Sequence, residues 1–137
     1  TPLIMRKIDK IIIHCADTPE GKYFDIDDIR KWHVEERGWS DVGYHYVILL
    51  DGSIQLGRPI QVSGAHTKGF NSQSIGICYI GGMNNIDTRT CEQKNTLEVL
   101  LSFLRLTFKE ATIQSHKDFT DNKSCPSFDA TNEYKNI

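Results

Sequence analysis

The spacing of apolar positions along this chain changes several times, and each change marks an element. Residues 8–16, IDKIIIHCA, hold an unbroken β-branched run, the pattern of a strand buried on both faces. It ends in His14, Cys15 and the turn cluster DTPEG. Residues 24–39, FDIDDIRKWHVEERGW, switch to helical spacing, with Ile26, Ile29 and His33 on one face and Trp32 beside it. Asp25 offers an N-cap oxygen to the first-turn amides, and Gly38 sits where a left-handed residue closes a helix. Residues 44–57 read as two strands joined at Asp51-Gly52, a pair that tolerates the positive φ of a tight turn. A polar loop at 63–73 leads into a second buried strand, SIGICYIGG, at 74–82. Thr90 and Gln93 form a capping box that opens a long helix. Leu97, Leu100, Leu101, Leu104 and Phe108 follow as one stripe, predicted to pack on a sheet. The short strand TIQS, 112–115, then delivers the chain to His116.

This order predicts an α/β fold with a mixed central sheet of about four to six strands flanked by helices. The 137 residues, without repeats or linkers, are expected to form one domain, 1–137. A chain of this length buries roughly two-thirds of its unfolded surface, so it needs no metal or disulfide merely to fold. Composition adds mainly exclusions. With 39% hydrophobic residues, 25% charged and a net charge of −2, nothing points to a nucleic-acid partner or a charged tail. No apolar run approaches the ~18–20 residues of a membrane span. The first eighteen residues alternate short apolar pieces with charge, which is not the pattern of a secretory signal. The chain opens at Thr1, so a leader removed earlier would make it a secreted protein. Four cysteines, Cys15, Cys78, Cys91 and Cys125, are read as mostly reduced, with Cys15 and Cys78 in the core.

Candidate chemistry gathers in HKDFTDNKSCPSFD, 116–129, where a histidine and a cysteine lie nine positions apart in a turn-rich loop. With His14 they make two imidazoles and a thiol. Three such protein ligands are the donor set of a catalytic zinc site, which leaves its fourth position to water. No CxxC or HExxH supports a metal, so spacing leaves three readings open: a metal site, a Cys125 nucleophile with His116 or His14 as base, or no site. Pro126 weakens the second, because it removes the amide that would steady an oxyanion beside the nucleophile. His33 and His45 read as structural, and Trp32 and Trp39 as core packing.

Longer motifs decide among these. HCADT (14–18), RKWHVEERGWSDVGYHYVI (30–48), DGSIQLGR (51–58), GAHTKGFNSQSIGICYIGG (64–82) and KSCPSFD (123–129) resemble the zinc-dependent N-acetylmuramoyl-L-alanine amidases. These include short phage lysozymes of the amidase class, and the animal peptidoglycan recognition proteins belong to the wider family. The resemblance runs from about residue 9 to residue 129. It implies an amidase and peptidoglycan-recognition-like fold, with peptidoglycan as substrate and partner. The bond cut would be the amide between the lactyl group of N-acetylmuramic acid and L-alanine. It further implies one Zn2+ per chain on His14, His116 and Cys125. Tyr44 would be a hydrogen-bond donor to the reacting carbonyl or to the zinc-bound water, Lys123 a stabiliser of the oxyanion, and His66 with Thr67 part of the substrate groove. The stretch from His116 to Cys125 is one residue longer than the resemblance leads one to expect. A monomer is expected, cytoplasmic until it reaches the cell wall, with no nucleic-acid or membrane partner. The competing readings are a non-catalytic peptidoglycan-binding module and a cysteine peptidase.

Overall fold

The computed structural model describes residues 6–121 and 123–137. Residues 1–5, where the leader reading begins, and Asn122, within the lengthened loop, lie outside the described residues. Five strands form one sheet: β1 (Lys10–Cys15), β2 (Tyr46–Ile48), β3 (Ile54–Leu56), β4 (Ser74–Tyr79) and β5 (Thr112–Ser115). Their spatial order is β3-β2-β4-β1-β5. β1 runs parallel to both β4 and β5, β4 runs parallel to β2, and only β2 and β3 pair antiparallel. This is the mixed sheet that the hydrophobic pattern predicts. β1 and β4 are central and have both faces covered, which is why they read as unbroken apolar runs.

Side-chain alternation sorts the strands onto two faces. Ile11, Ile13 and Cys15 of β1 join Ile75, Ile77 and Tyr79 of β4 under α2 (Cys91–Thr107). Leu97, Leu100, Leu101 and Leu104 of α2 are buried there, as the stripe predicts. The capping box forms as expected, with Gln93 N–H donating to Thr90 Oγ1 at 3.0 Å and Thr90 N–H to Gln93 Oε1 at 2.9 Å. The opposite face is smaller: Val47, Cys78 and Ile80 pack on Ile26 and Ile29 of α1 (Ile26–Lys31). His14 of β1 and Gly76 of β4 project to this second face, where apolar cover is thin and a polar cluster has room.

α1 starts where the sequence predicts, with the Asp25 carboxylate accepting from the amides of Asp27 and Asp28. It differs further along. Instead of one regular helix to residue 39, the chain widens into a π-type turn over Trp32–Glu36, and Gly38 closes it at φ 71°. Widened turns of this kind re-aim the side chains that follow, and here they bring His33 and Trp39 together at 4.5 Å between ring centroids. A last helix, α3 (Ala130–Glu133), is as short as the tail allows. Among the described residues, no helix is long and apolar enough to cross a membrane.

Candidate metal centre

Three elements deliver the donor set. His14 lies near the end of β1, His116 opens the turn that follows β5, and Cys125 sits in the loop after it. Parallel β1 and β5 end side by side, so their two histidines meet, with ring centroids 4.4 Å apart. The Cys125 loop is tied back onto the sheet from several sides. Lys117 N–H donates to Cys125 O at 2.8 Å, Ser127 Oγ to Gly82 O at 2.6 Å, and Tyr79 OH to Pro126 O. Cys15 N–H donates to Cys125 Sγ at 3.0 Å. As a result, the ligand atoms of His14, His116 and Cys125 all lie within 4.8 Å of one another.

A chain of hydrogen bonds sets which His14 nitrogen is free. Ser74 Oγ donates to Phe70 O at 2.7 Å, so toward His66 Nε2, 3.3 Å away, it acts as acceptor. His66 then carries its proton on Nε2 and accepts at Nδ1. His14 Nε2 lies 2.9 Å from that Nδ1 and donates to it, which leaves the Nδ1 lone pair of His14 available for a metal. Thr67 Oγ1 lies 3.0 Å from His66 Nδ1 and 3.3 Å from His14 Nε2, at the same junction.

Burial governs the charges. It pushes His14 well below the usual imidazole range, with the neighbouring His66 and His116 adding to the effect. Burial is also the main cause that lowers His66 to about 3 and His116 below its ordinary value, the latter aided by Lys123. All three rings are therefore neutral at pH 7, the state in which imidazole is a ligand. The hydrogen-bonded Cys15 side chain and burial push the Cys125 thiol up, so without a metal it keeps its proton. Burial likewise holds Tyr44 well above the usual phenol range, so its hydroxyl is a donor at neutral pH.

These groups face a cavity of about 430 Å³ whose walls include His14, Tyr44, His66, His116, Lys123 and Cys125. The Tyr44 ring stands 5.1 Å from His14. Lys123 lines the cavity despite the lengthened loop. Thr67 is buried and reaches His14 and His66 rather than the cavity wall. His45 lies on the far side, with Nδ1 accepting from Gly76 N–H at 3.0 Å and Nε2 set 2.8 Å from Val62 O and 3.0 Å from the Arg6 guanidinium. Two residues read as structural or core, His33 and Trp39, also line the cavity, because the widened turn after α1 aims them there. Ser74 and Gly76 carry no signal in the sequence. Their roles appear only when β4 is laid beside β1.

Comparison with known proteins agrees with this geometry. The family described as N-acetylmuramoyl-L-alanine amidase matches residues 5–128. The endolysin of Enterobacteria phage K11 is 38% identical over 128 residues, covering 90% of this chain and 83% of the endolysin. The endolysin of Escherichia phage T7 is 38% identical over 125 residues, covering 88% and 82%. Among solved structures, the N-acetylmuramoyl-L-alanine amidase LysC from Clostridium intestinale URNW superimposes with a TM-score of 0.80 at 30% identity, covering 97% of this chain and 86% of that one.

Proposed function

The chain belongs to the N-acetylmuramoyl-L-alanine amidase family, and from that premise we propose that it is a zinc-dependent peptidoglycan amidase acting in lysis of the bacterial cell wall. The observation that carries the metal is the convergence of His14, His116 and Cys125 within 4.8 Å on the wall of an open cavity. The donor chemistry fits zinc: two neutral imidazoles and one sulfur, with a backbone N–H already on that sulfur. When bound, the ion supplies Lewis acidity, polarising the amide carbonyl and making water a nucleophile near neutral pH.

The chain's own residues do the rest. His66 and Thr67 hold the His14 ring through its Nε2, which makes them positioning residues in this reading, and His66 also forms part of the cavity wall. The protonated Tyr44 hydroxyl donates toward the lactyl carbonyl. The Lys123 ammonium places positive charge where the carbonyl oxygen becomes negative. Hydrolysis leaves the lactyl group as a carboxylate and frees the alanine amine. A single copy, with peptidoglycan as its partner, is the working unit of this reading. The endolysin names of its relatives support the setting at the wall.

A cysteine peptidase is disfavoured by the same site. Pro126 follows Cys125 directly and offers no N–H to steady an oxyanion beside it. A pure binding module would need no filled ligand set. The test is mass spectrometry of purified peptidoglycan incubated with zinc-loaded and with chelated protein. Stem peptides beginning at L-alanine, with intact glycan and only in the zinc-loaded sample, are expected. Other cleavage products, or products indifferent to chelator, would overturn the reading.

A further inference from the structure

Five of the nine large apolar side chains exposed among the described residues gather on one side of the molecule, the face that α2 covers. Ile54 and Leu56 stand on β3, an edge strand of the sheet, and are 42% and 70% exposed. Directly paired residues share a face, and their partners Ile48 and Tyr46 belong to the α2 side. Val99, Phe103 and Leu106 follow at i, i+4 and i+7 along α2, each more than half exposed, on the side away from its buried leucines. An open groove of about 580 Å³ runs between the two elements, from Ile54 to Val99, Leu100 and Phe103, and no charged side chain lines it.

The main chain of β3 is open as well. β3 pairs with β2 through Gln55 and Val47, and the flanking bonds, Leu49 N–H to Ser53 O and Gly57 N–H to His45 O, are both 2.9 Å. Antiparallel ladders alternate, so the N–H and C=O groups of Ile54 and Leu56 point outward. Among the described residues they meet no hydrogen-bond partner. Neither a lysine nor a proline guards the strand, as edge strands usually require.

This surface is complementary to itself. Turned about a two-fold axis through Gln55, β3 pairs antiparallel with its own copy, and Ile54 exchanges main-chain hydrogen bonds with Leu56 of the second copy, and the reverse. Both side chains lie on the α2 face, so the same turn brings the two uncharged grooves together. At these exposures the five side chains present about 600 Å² of apolar surface, as much as a monomer ordinarily leaves open in one patch. Two copies that cover each other's patch bury about 1,200 Å², the lower bound of a stable, specific interface.

We propose that the β3 edge and the outer stripe of α2 bind a second copy of this chain, in a two-fold dimer that joins the two sheets through β3. The cavity walled by His14 and Tyr44 lies off the other face of the sheet, so each copy keeps its own site whole and open. The single copy stays the catalytic unit, while the assembly is a dimer where the sequence alone leads one to expect a monomer. The proposal holds whatever reaction the site performs.

Analytical ultracentrifugation of the wild-type chain over a range of concentrations should show a monomer passing to a dimer, with a dissociation constant on the order of micromolar. Phe103→Glu and Leu56→Lys should each weaken it about 30-fold or more, as loss of a central apolar anchor does. Tyr23→Glu, at a side chain as exposed as Phe103 but off the patch, should leave it unchanged. Far-ultraviolet circular dichroism verifies that each variant is folded. In a Cys91→Ser background, Gln55→Cys should form a disulfide-linked dimer under mild oxidation, because the paired Cβ atoms lie about 4.5 Å apart across the axis, and the background protein should not. A monomer mass at every concentration would overturn the proposal, as would a dimer that both patch substitutions leave intact. A dimer that those substitutions break but Gln55→Cys fails to cross-link would overturn the β3 pairing.

Discussion

Gly76 offers the sharpest perturbation of the proposed metal site, although it touches no metal ligand. A Cβ built on it would lie 2.5 Å from His66 Cδ2, 2.6 Å from Cγ and 2.8 Å from Nε2, where ordinary contact begins at 3.4 Å. The backbone cannot retreat. Gly76 N–H donates to His45 Nδ1 at 3.0 Å, its carbonyl accepts from His45 N–H at 2.9 Å, and its strand is registered against Ile12 of β1. In Gly76→Ala the imidazole must therefore move by about 0.9 Å, the difference between 3.4 and 2.5 Å. A shift of that size stretches the 2.9 Å contact to His14 Nε2 out of hydrogen-bond range. Loss of such a supporting bond typically weakens metal binding by about 10–100-fold, and the overpacking itself costs about 1–3 kcal/mol of stability. Zinc competition against a chromophoric chelator measures the first, and chemical unfolding of the chelated protein the second. Gly21→Ala is the control. Its φ of 74° strains an alanine, but no atom lies within 4 Å, so stability should fall by about 1 kcal/mol with zinc affinity unchanged. A folded Gly76→Ala protein with wild-type zinc affinity would refute the role given to His66.

Tyr44→Phe and Lys123→Ala should each lower kcat by about 10–100-fold with zinc content unchanged, read from turnover and metal analysis together. An unaltered kcat in Lys123→Ala would mean that the lengthened loop carries the ammonium out of reach. Burial holds His33 and His45 at about 4 in the folded chain, against an ordinary 6.5. The unfolded state thus binds more protons between those values, so stability is complete above about pH 6.5 and falls as pH drops toward 4. For His45, 1% exposed, the loss is about 3 kcal/mol. Urea titrations of chelated protein at pH 7 and pH 4.5 should show a loss in the same direction from buried His14, His66 and His116 as well, and His45→Gln should remove only its own share of it. Arg89, paired with Asp87 and Glu133 at 2.8 Å each and set 3.4 Å from the Phe128 ring centroid, clamps the segment just past Cys125. Arg89→Met should cost about 2 kcal/mol in chemical unfolding, since both carboxylates keep some access to water. A loss under half that size would count against the clamp.

Much of the fold was legible because local signals and tertiary demands agree. The β-branched runs at 8–16 and 74–82 are central parallel strands, and the Thr90–Gln93 box caps the helix whose leucines cover them. The turn after the first helix was not legible. Residues 24–39 keep helical spacing as far as His33, and nothing in composition marks the switch to a wider turn at Trp32. That switch is why His33 and Trp39 face the cavity when their pattern suggests packing alone.

The donor set and its support differ in the same way. His14, His116 and Cys125 are rare, reactive residue types, so a motif can flag them before any contact is known. What makes His14 usable is supplied by Ser74 and His66 through hydrogen bonds at 3.3 and 2.9 Å, and by an absent side chain at Gly76. A serine on a strand and a glycine in an apolar run carry no chemical label. Their meaning depends on the register that places Gly76 opposite Ile12 and Cys78 opposite His14. A one-residue slip of β4 would bring Ile75 or Ile77 to the place of Gly76 and leave no room for the His66 ring. The strand pairing is therefore itself part of the proposed site: it leaves one gap on an otherwise apolar face, and an imidazole fills it.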